Sequence, residues 1–289
     1  MKKPYKVILI SVCVFVFLFG LFVVKYYVDG KEKINFSGKL LVNGTDANSK
    51  YNGLMLYDLQ DNSLCYTGIP DGAFSNACFA GSNVEILYGG LGGTVSLFNL
   101  ETKENRQIYK SNDGSDVVFA FAGSGYFSVV DNRKLILINW DNGEQVVLAE
   151  DVGNPKHSWT GDGESVYYSN VKKQICRIEK KSKQNTPLFF GTYAKISGDG
   201  KFIAVMNYLD KYALVVKDLQ SGQEWRYKNN TPYEFCFSPN GKQIAMVEAS
   251  ETFLYLGNRI IIWDYNSDTI KLIDDTYDHN RIISWSAYH

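Results

Sequence analysis

Hydrophobic positions along residues 34–289 fall into short runs that alternate with polar ones, and Gly, Asn, Asp and Ser interrupt them every few residues. This is the period of two that strands show, and the helical period of 3.6 is almost absent. Two markers recur along the chain. The first is an aromatic or apolar residue followed by a tight turn: FAGSN (79–83), FAGSG (121–125), WTGDG (159–163), ISGDG (196–200) and FSPNG (237–241), with starts 42, 38, 37 and 41 residues apart. The second is an apolar run that closes on a polar residue: LMLYDL, VSLFNL, LILINW, QICRIE, LVVKDL and IIIWDY. With Asp58, Asn99, Asn139, Ile178, Asp218 and Asp264 as its markers, the spacings are 41, 40, 39, 40 and 46. Each unit divides into four strands, a to d; TYAKI, KFIAVMNY, YALVVKDL and QEWRY are those of residues 191–228. Four antiparallel strands per repeat of about 40 residues mark a propeller blade. The pattern therefore predicts an all-β chain, a six-bladed β-propeller with four-stranded blades at 34–70 plus 281–289, 73–110, 115–149, 154–190, 191–228 and 231–274.

The segment RIISWSAYH (281–289) reads as a strand a with no strand b after it, whereas GKLLVNG, GLMLYDL and SLCYTG (38–68) supply strands b, c and d. The C-terminal strand is thus expected to close the ring as the inner strand of the first blade, with INF (34–36) as a competitor for that place. Such a closure makes the sixth and first blades neighbours.

The pattern changes before residue 34. Val7 to Val24 is an uncharged apolar run of 18 residues, roughly 27 Å as a helix, close to the hydrocarbon thickness of a bilayer. The expectation is a transmembrane signal-anchor at 7–24, with 1–6 cytoplasmic, 25–33 a linker, and the propeller on the periplasmic or extracellular side of the inner membrane. The alternatives are a cleaved signal peptide and a lipoprotein at Cys13, although KYYVDG after the run offers no small-residue cleavage site. Charge divides at the same place. Residues 1–33 hold six lysines against Asp29 and Glu32, a surplus of four that leaves the rest at about −5 for a chain of net charge −1. A propeller of that sign has no electrostatic reason to bind nucleic acid.

Aligning strand a across the blades separates its faces. One column holds Phe79, Phe121, Trp159, Ile196, Phe237 and Trp285, and two residues earlier stand Ala77, Phe119, His157, Ala194, Phe235 and Ile283. Both are expected to be core. The column between them, Cys78, Ala120, Ser158, Lys195, Cys236 and Ser284, is mostly small and is expected to permit close approach of the next sheet. No pair of the five cysteines is placed for a disulfide, and buried thiols are expected. The repeats FSPNGKQIAMVEA, IIIWDYNSDTIKLI and ISGDGKFIAV resemble those of TolB-type, WD-repeat-like bacterial propellers over residues 34–289. The resemblance implies the fold and a place in the cell envelope.

No G-x-S-x-G, P-loop, H-E-x-x-H, C-x-x-C or EF-hand pattern occurs, and the three histidines are far apart at 157, 279 and 289. No catalysis, cofactor or metal is therefore expected. A binding surface follows from topology. The d–a connections and b–c loops share one rim, and two of those loops are long, 43–53 and 248–258. Their Tyr51, Phe253 and Tyr255 are candidate contacts for a protein or peptide partner. Asp116, Lys156, His157, Tyr193, Tyr233, Glu234 and Arg281 enter strand a on the same rim and are expected to ring the mouth of the central channel. The alternative is a small-ligand sensor or enzyme that uses the same mouth.

Overall fold

The computed structural model describes residues 37–45, 52–69, 76–90, 92–207, 213–249, 258–274 and 278–286. The expected span at 7–24, the segment INF, and Tyr51, Phe253 and Tyr255 lie outside the described residues, as does the side chain of Arg281. Among the described residues no helix is long and apolar enough to cross a membrane.

Twenty-four strands form six antiparallel sheets of four among the described residues. In chain order the first sheet holds β1 (Lys39–Thr45), β2 (Asn52–Asp58) and β3 (Ser63–Tyr66). The second holds β4 (Ala77–Phe79), β5 (Glu85–Gly90), β6 (Thr94–Asn99) and β7 (Asn105–Lys110). The third holds β8 (Val118–Phe121), β9 (Tyr126–Asp131), β10 (Lys134–Asn139) and β11 (Gln145–Ala149). The fourth holds β12 (Val152–Trp159), β13 (Ser165–Asn170), β14 (Gln174–Glu179) and β15 (Asn185–Phe190). The fifth holds β16 (Tyr193–Ile196), β17 (Phe202–Asn207), β18 (Ala213–Asp218) and β19 (Glu224–Tyr227). The sixth holds β20 (Glu234–Phe237), β21 (Gln243–Ala249), β22 (Asn258–Asp264) and β23 (Thr269–Asp274). The last strand, β24 (Asp278–Ser286), returns to pair with β1, so the first sheet runs β24-β1-β2-β3. Each inner strand touches the next, β24 to β4, β8, β12, β16, β20 and back to β24, and the ring is closed. The architecture is a six-bladed propeller, as the repeat predicts.

The closure is backbone pairing plus one large side chain. Lys39 pairs with Ser286 and Val42 with Ile283. Trp285 is 9% exposed, and its indole N–H donates to the Ser37 carbonyl at 2.9 Å. Across the same seam the Tyr57 hydroxyl of the first blade donates to Ile273 O of the sixth at 3.4 Å.

The recurring turns have a shared chemistry. In SGDG the Ser197 hydroxyl donates to Asp199 Oδ1 at 2.7 Å, and the Lys201 N–H donates to the same oxygen at 3.1 Å. Thr160 with Asp162, and Ser238 with Asn240, repeat the arrangement. The glycines follow from crowding between blades. A Cβ on Gly163 (φ 67°) would sit 2.5 Å from Ala122 O of the preceding blade. The polar residue that closes strand c opens the c–d turn: Asp218 Oδ1 accepts from the N–H groups of Gln220 and Ser221, and Asn99, Asn139 and Asp264 act likewise. In the fourth blade this position belongs to Glu179, which pairs with Ser165 as Asn99 pairs with Glu85. The marker position of this blade is therefore Glu179 and not Ile178, whose side chain is fully buried in the core.

Apolar clusters fill the spaces between neighbouring sheets. One joins Tyr193, Leu214, Val216 and Tyr227 of the fifth sheet to Phe235, Ile244, Ile261, Trp263 and Tyr265 of the sixth. Of the two columns expected to be core, only Phe121 among those described is merely half-buried. Cys176 is buried, but Cys65 on the outer strand β3 is exposed, against the expectation of buried thiols, because a fourth strand has no outward neighbour to cover it.

Candidate binding site at the channel mouth

The six inner strands surround an axial cavity of about 250 Å³. Its wall contains the whole middle column, Cys78, Ala120, Ser158, Lys195, Cys236 and Ser284. The sequence reading assigned this column to close approach between sheets. Two members do serve that end: the Ile196 N–H donates to Ser158 Oγ at 3.2 Å, and the Phe79 N–H donates to Ser284 Oγ at 3.3 Å, each across a blade boundary. The same column also faces the channel, and Lys195 is its only long side chain.

The fourth blade builds the mouth through an irregular strand. In GNPKHSW the β12 register against β13 shifts twice, between Val152 and Asn154 and between Asn154 and His157. Local chemistry accounts for it. A Cβ on Gly153 would meet Asn170 O at 2.3 Å, Pro155 has no N–H for the ladder, and Asn154 Oδ1 takes the Lys156 N–H at 3.0 Å. A bulge re-aims the side chain it carries. Lys156 consequently crosses the fifth blade. Its ammonium lies 4.4 Å from the Tyr193 ring centroid and forms an ion pair and hydrogen bond with the Glu234 carboxylate of the sixth blade. Tyr193 stacks at a tilt on Phe235, 4.6 Å between centroids, and its buried hydroxyl has no hydrogen-bond partner among the described residues. Burial pushes the Glu234 carboxyl up to about 7, against the opposing pull of the Lys156 ammonium.

His157 is 2% exposed and fully hydrogen-bonded. A carbonyl only accepts, so Nδ1 carries the proton and donates to Pro155 O at 2.9 Å. The Ser128 hydroxyl therefore donates to Nε2 at 2.6 Å, and the same oxygen accepts the Trp159 indole N–H at 2.8 Å. Burial holds the imidazole down to about 4, neutral at ordinary pH. His157 fixes the strand entry and belongs to the core more than to the rim.

Three of the rim residues, Lys156, Tyr193 and Glu234, thus meet at one point. Tyr233 lies beside them in the chain and is 45% exposed, while Asp116 is exposed on the third blade. Lys195 escaped the sequence reading. Its ammonium lies 5.8 Å from the Tyr193 ring, and burial, followed by repulsion from Lys156, lowers its pKa. Exposed apolar side chains on the rim were also missed. Eight large hydrophobic residues are exposed among the described ones. Val147, Leu188, Ile270 and Leu272 lie on outer strands. Tyr66, Val171, Phe190 and Tyr233 lie at strand ends or turns on the mouth rim, and Phe190 is 66% exposed. The opposite rim, formed by the a–b and c–d turns, carries none of the eight. Among the described residues no group of His, Cys, Asp and Glu could hold a metal ion.

No protein-family model matches the chain, and neither does any curated protein. Solved structures do match. TolB from Acinetobacter baumannii superposes with a TM-score of 0.67 at 15% identity, over 88% of this chain and 67% of that one. A chain of a nidogen/laminin complex gives 0.65 at 11% identity, over 86% and 98%. The β-propeller domain of Cps50 (Swd1) from Myceliophteria thermophila gives 0.56 at 12%, over 87% and 91%. At these identities the likeness is one of fold, and the chain has the TolB-like, WD-repeat-like β-propeller fold that its repeats resemble.

Proposed function

We propose that the chain is a non-catalytic scaffold that binds a protein or peptide partner on the rim around the channel mouth. The observation that carries the reading is the one-sided placement of exposed apolar groups. Aromatic side chains exposed beside paired charges have the composition of a recognition surface, and among the described residues they occur on one rim of the ring and not the other. The two long loops, with Tyr51, Phe253 and Tyr255, leave from that rim and extend the surface in this reading. A similar chain solved within a nidogen/laminin complex lends support from a protein-bound relative in fold. We further propose that residues 7–24 anchor the chain in a membrane and hold the propeller on the periplasmic or extracellular side. The basis is the length of the uncharged run and the lysines before it.

Photo-crosslinking in native membranes tests the rim. A benzoylphenylalanine at Phe190 or Tyr233 is expected to give a discrete adduct that the same group at Val147, on an outer strand, does not. Identical patterns from all three positions, or none, would overturn the proposal. Protease added to spheroplasts is expected to digest the propeller; protection reverses the topology.

A further inference from the structure

We infer that the axial cavity binds a carboxylate, held by Lys195; the inference goes beyond the rim reading, because the cavity wall reaches the a–b turn residues Gly198, Ser238 and Pro239 and does not include Lys156, Tyr193 or Tyr233. The starting point is a side chain without a structural purpose. Lys195 occupies a column otherwise made of Cys, Ala and Ser, lines the cavity and is half-buried. Among the described residues its ammonium has neither a carboxylate nor a hydrogen-bond acceptor. Its nearest described partner is the Tyr193 ring at 5.8 Å, and Lys156 already covers that ring at 4.4 Å. Among the described residues Glu234 is the one carboxylate on the cavity wall, and Lys156 takes it. Withdrawing a cation from water without a counter-charge costs free energy, and Met at 195 would fill the same space without that cost.

The rest of the wall supplies donors. Ser158 Oγ and Ser284 Oγ each accept a backbone N–H from the next blade, which leaves both hydroxyl protons to donate elsewhere. Burial pushes the Cys78 and Cys236 thiols up to about 11 and about 12, so both stay neutral and compete for no cation. One ammonium and two hydroxyls thus face a small cavity whose only carboxylate among the described residues is already paired. One uncompensated positive charge matches one negative charge, and the Glu234 carboxylate on the same wall disfavours a dianion such as phosphate. The volume of about 250 Å³ admits a short-chain acid or the last residue of a peptide.

The test uses the purified 289-residue chain, isothermal titration calorimetry at constant ionic strength, and three probes: sodium acetate, N-acetyl-trialanine, and N-acetyl-trialanine amide. Tryptophan fluorescence follows the same titrations, because Trp159 and Trp285 line the cavity. The free-acid peptide is expected to bind, and the amide to bind at least about tenfold more weakly, as the loss of a charge-assisted contact implies. Lys195→Met is expected to lose binding of the acid by a similar factor and to melt no lower than the parent. Lys195→Arg is expected to retain binding within a few-fold. Acetate binding as well as the peptide acid assigns the site to free small acids; binding of the peptide alone assigns it to a chain end. Lys195→Gln replaces Lys195→Met if the latter does not fold. The inference is overturned if no carboxylate probe binds, if acid and amide bind equally, or if the neutral variants bind as the parent does. A negative result here leaves the rim crosslinks from Phe190 and Tyr233 intact, so the two readings fail separately.

Discussion

Trp285→Ala tests whether the ring is held by its last strand. Only 9% of Trp285 is exposed, so truncation removes nearly a whole indole from a packed site. Replacing a buried Trp by Ala costs about 3–5 kcal/mol. The lost hydrogen bond to Ser37 O adds little, because Ser37 is exposed and water can replace the indole N–H. Against a total stability of roughly 5–15 kcal/mol the variant still folds. At about 2–4 °C per kcal/mol for a domain of this size its melting temperature falls by about 6–20 °C. The assay is urea unfolding monitored by far-UV circular dichroism, with Val147→Ala on an exposed outer strand as a control expected within about 0.5 kcal/mol of the parent. Removing residues 278–289 leaves β1 as an unpaired sheet edge and is expected to cost far more than the point variant. A Trp285→Ala midpoint equal to that of the control, or a truncated chain that melts like the full one, would show that β24 does not hold the ring.

Further outcomes follow from individual contacts. Glu248 is fully buried, bound by Arg259 at 2.7 Å and by the Tyr227 hydroxyl at 2.6 Å. Arg259→Met is expected to cost about 3–5 kcal/mol in urea unfolding, and Glu248→Leu with Arg259→Met together less; a larger loss for the double variant would contradict this. The carboxyl of Glu234 is raised to about 7 from 4.5, so the folded state holds an extra proton and stability falls as pH rises between those values. The imidazole of His157 is lowered to about 4 from 6.5, so the folded state holds fewer protons and stability falls as pH drops through that window. The two slopes oppose each other between about 4.5 and 6.5. Thermal melts of Glu234→Gln should therefore show stability rising with pH there, and those of His157→Gln should show it falling; parallel profiles would refute the assignment. Gly163→Ala is expected to cost more than Gly143→Ala by about 1–3 kcal/mol, since both have positive φ but only Gly163 faces a neighbouring carbonyl. Equal melting points would show that the inter-blade contact carries no energy.

What the sequence by itself determined about this protein is local and repeated. Ser or Thr two residues before Asp or Asn makes a self-bonded turn wherever it falls, and Asp or Asn at the end of strand c caps the next turn. The tight turn after strand a and the close of strand c recur every 37 to 46 residues and set the number of blades. The alternation between them sorts core from surface, and the unmatched strand at 281–289 points to its partner in β1. Only the tertiary structure decided which residues share a site. Lys156 and Glu234 stand 78 residues apart, and they meet because a double register shift in β12 aims Lys156 across an entire blade. No spacing rule announces that reach, since it depends on the twist and packing of three sheets. The histidine beside it has the residue type of a site, yet it lies buried among Pro155, Ser128 and Trp159, because its Nδ1 donates within its own strand and its Nε2 accepts from Ser128 of the neighbouring blade. Lys195 shows the converse. By sequence it is one large member of a small-residue column, and only closure of six strands around an axis turns that column into the wall of a cavity.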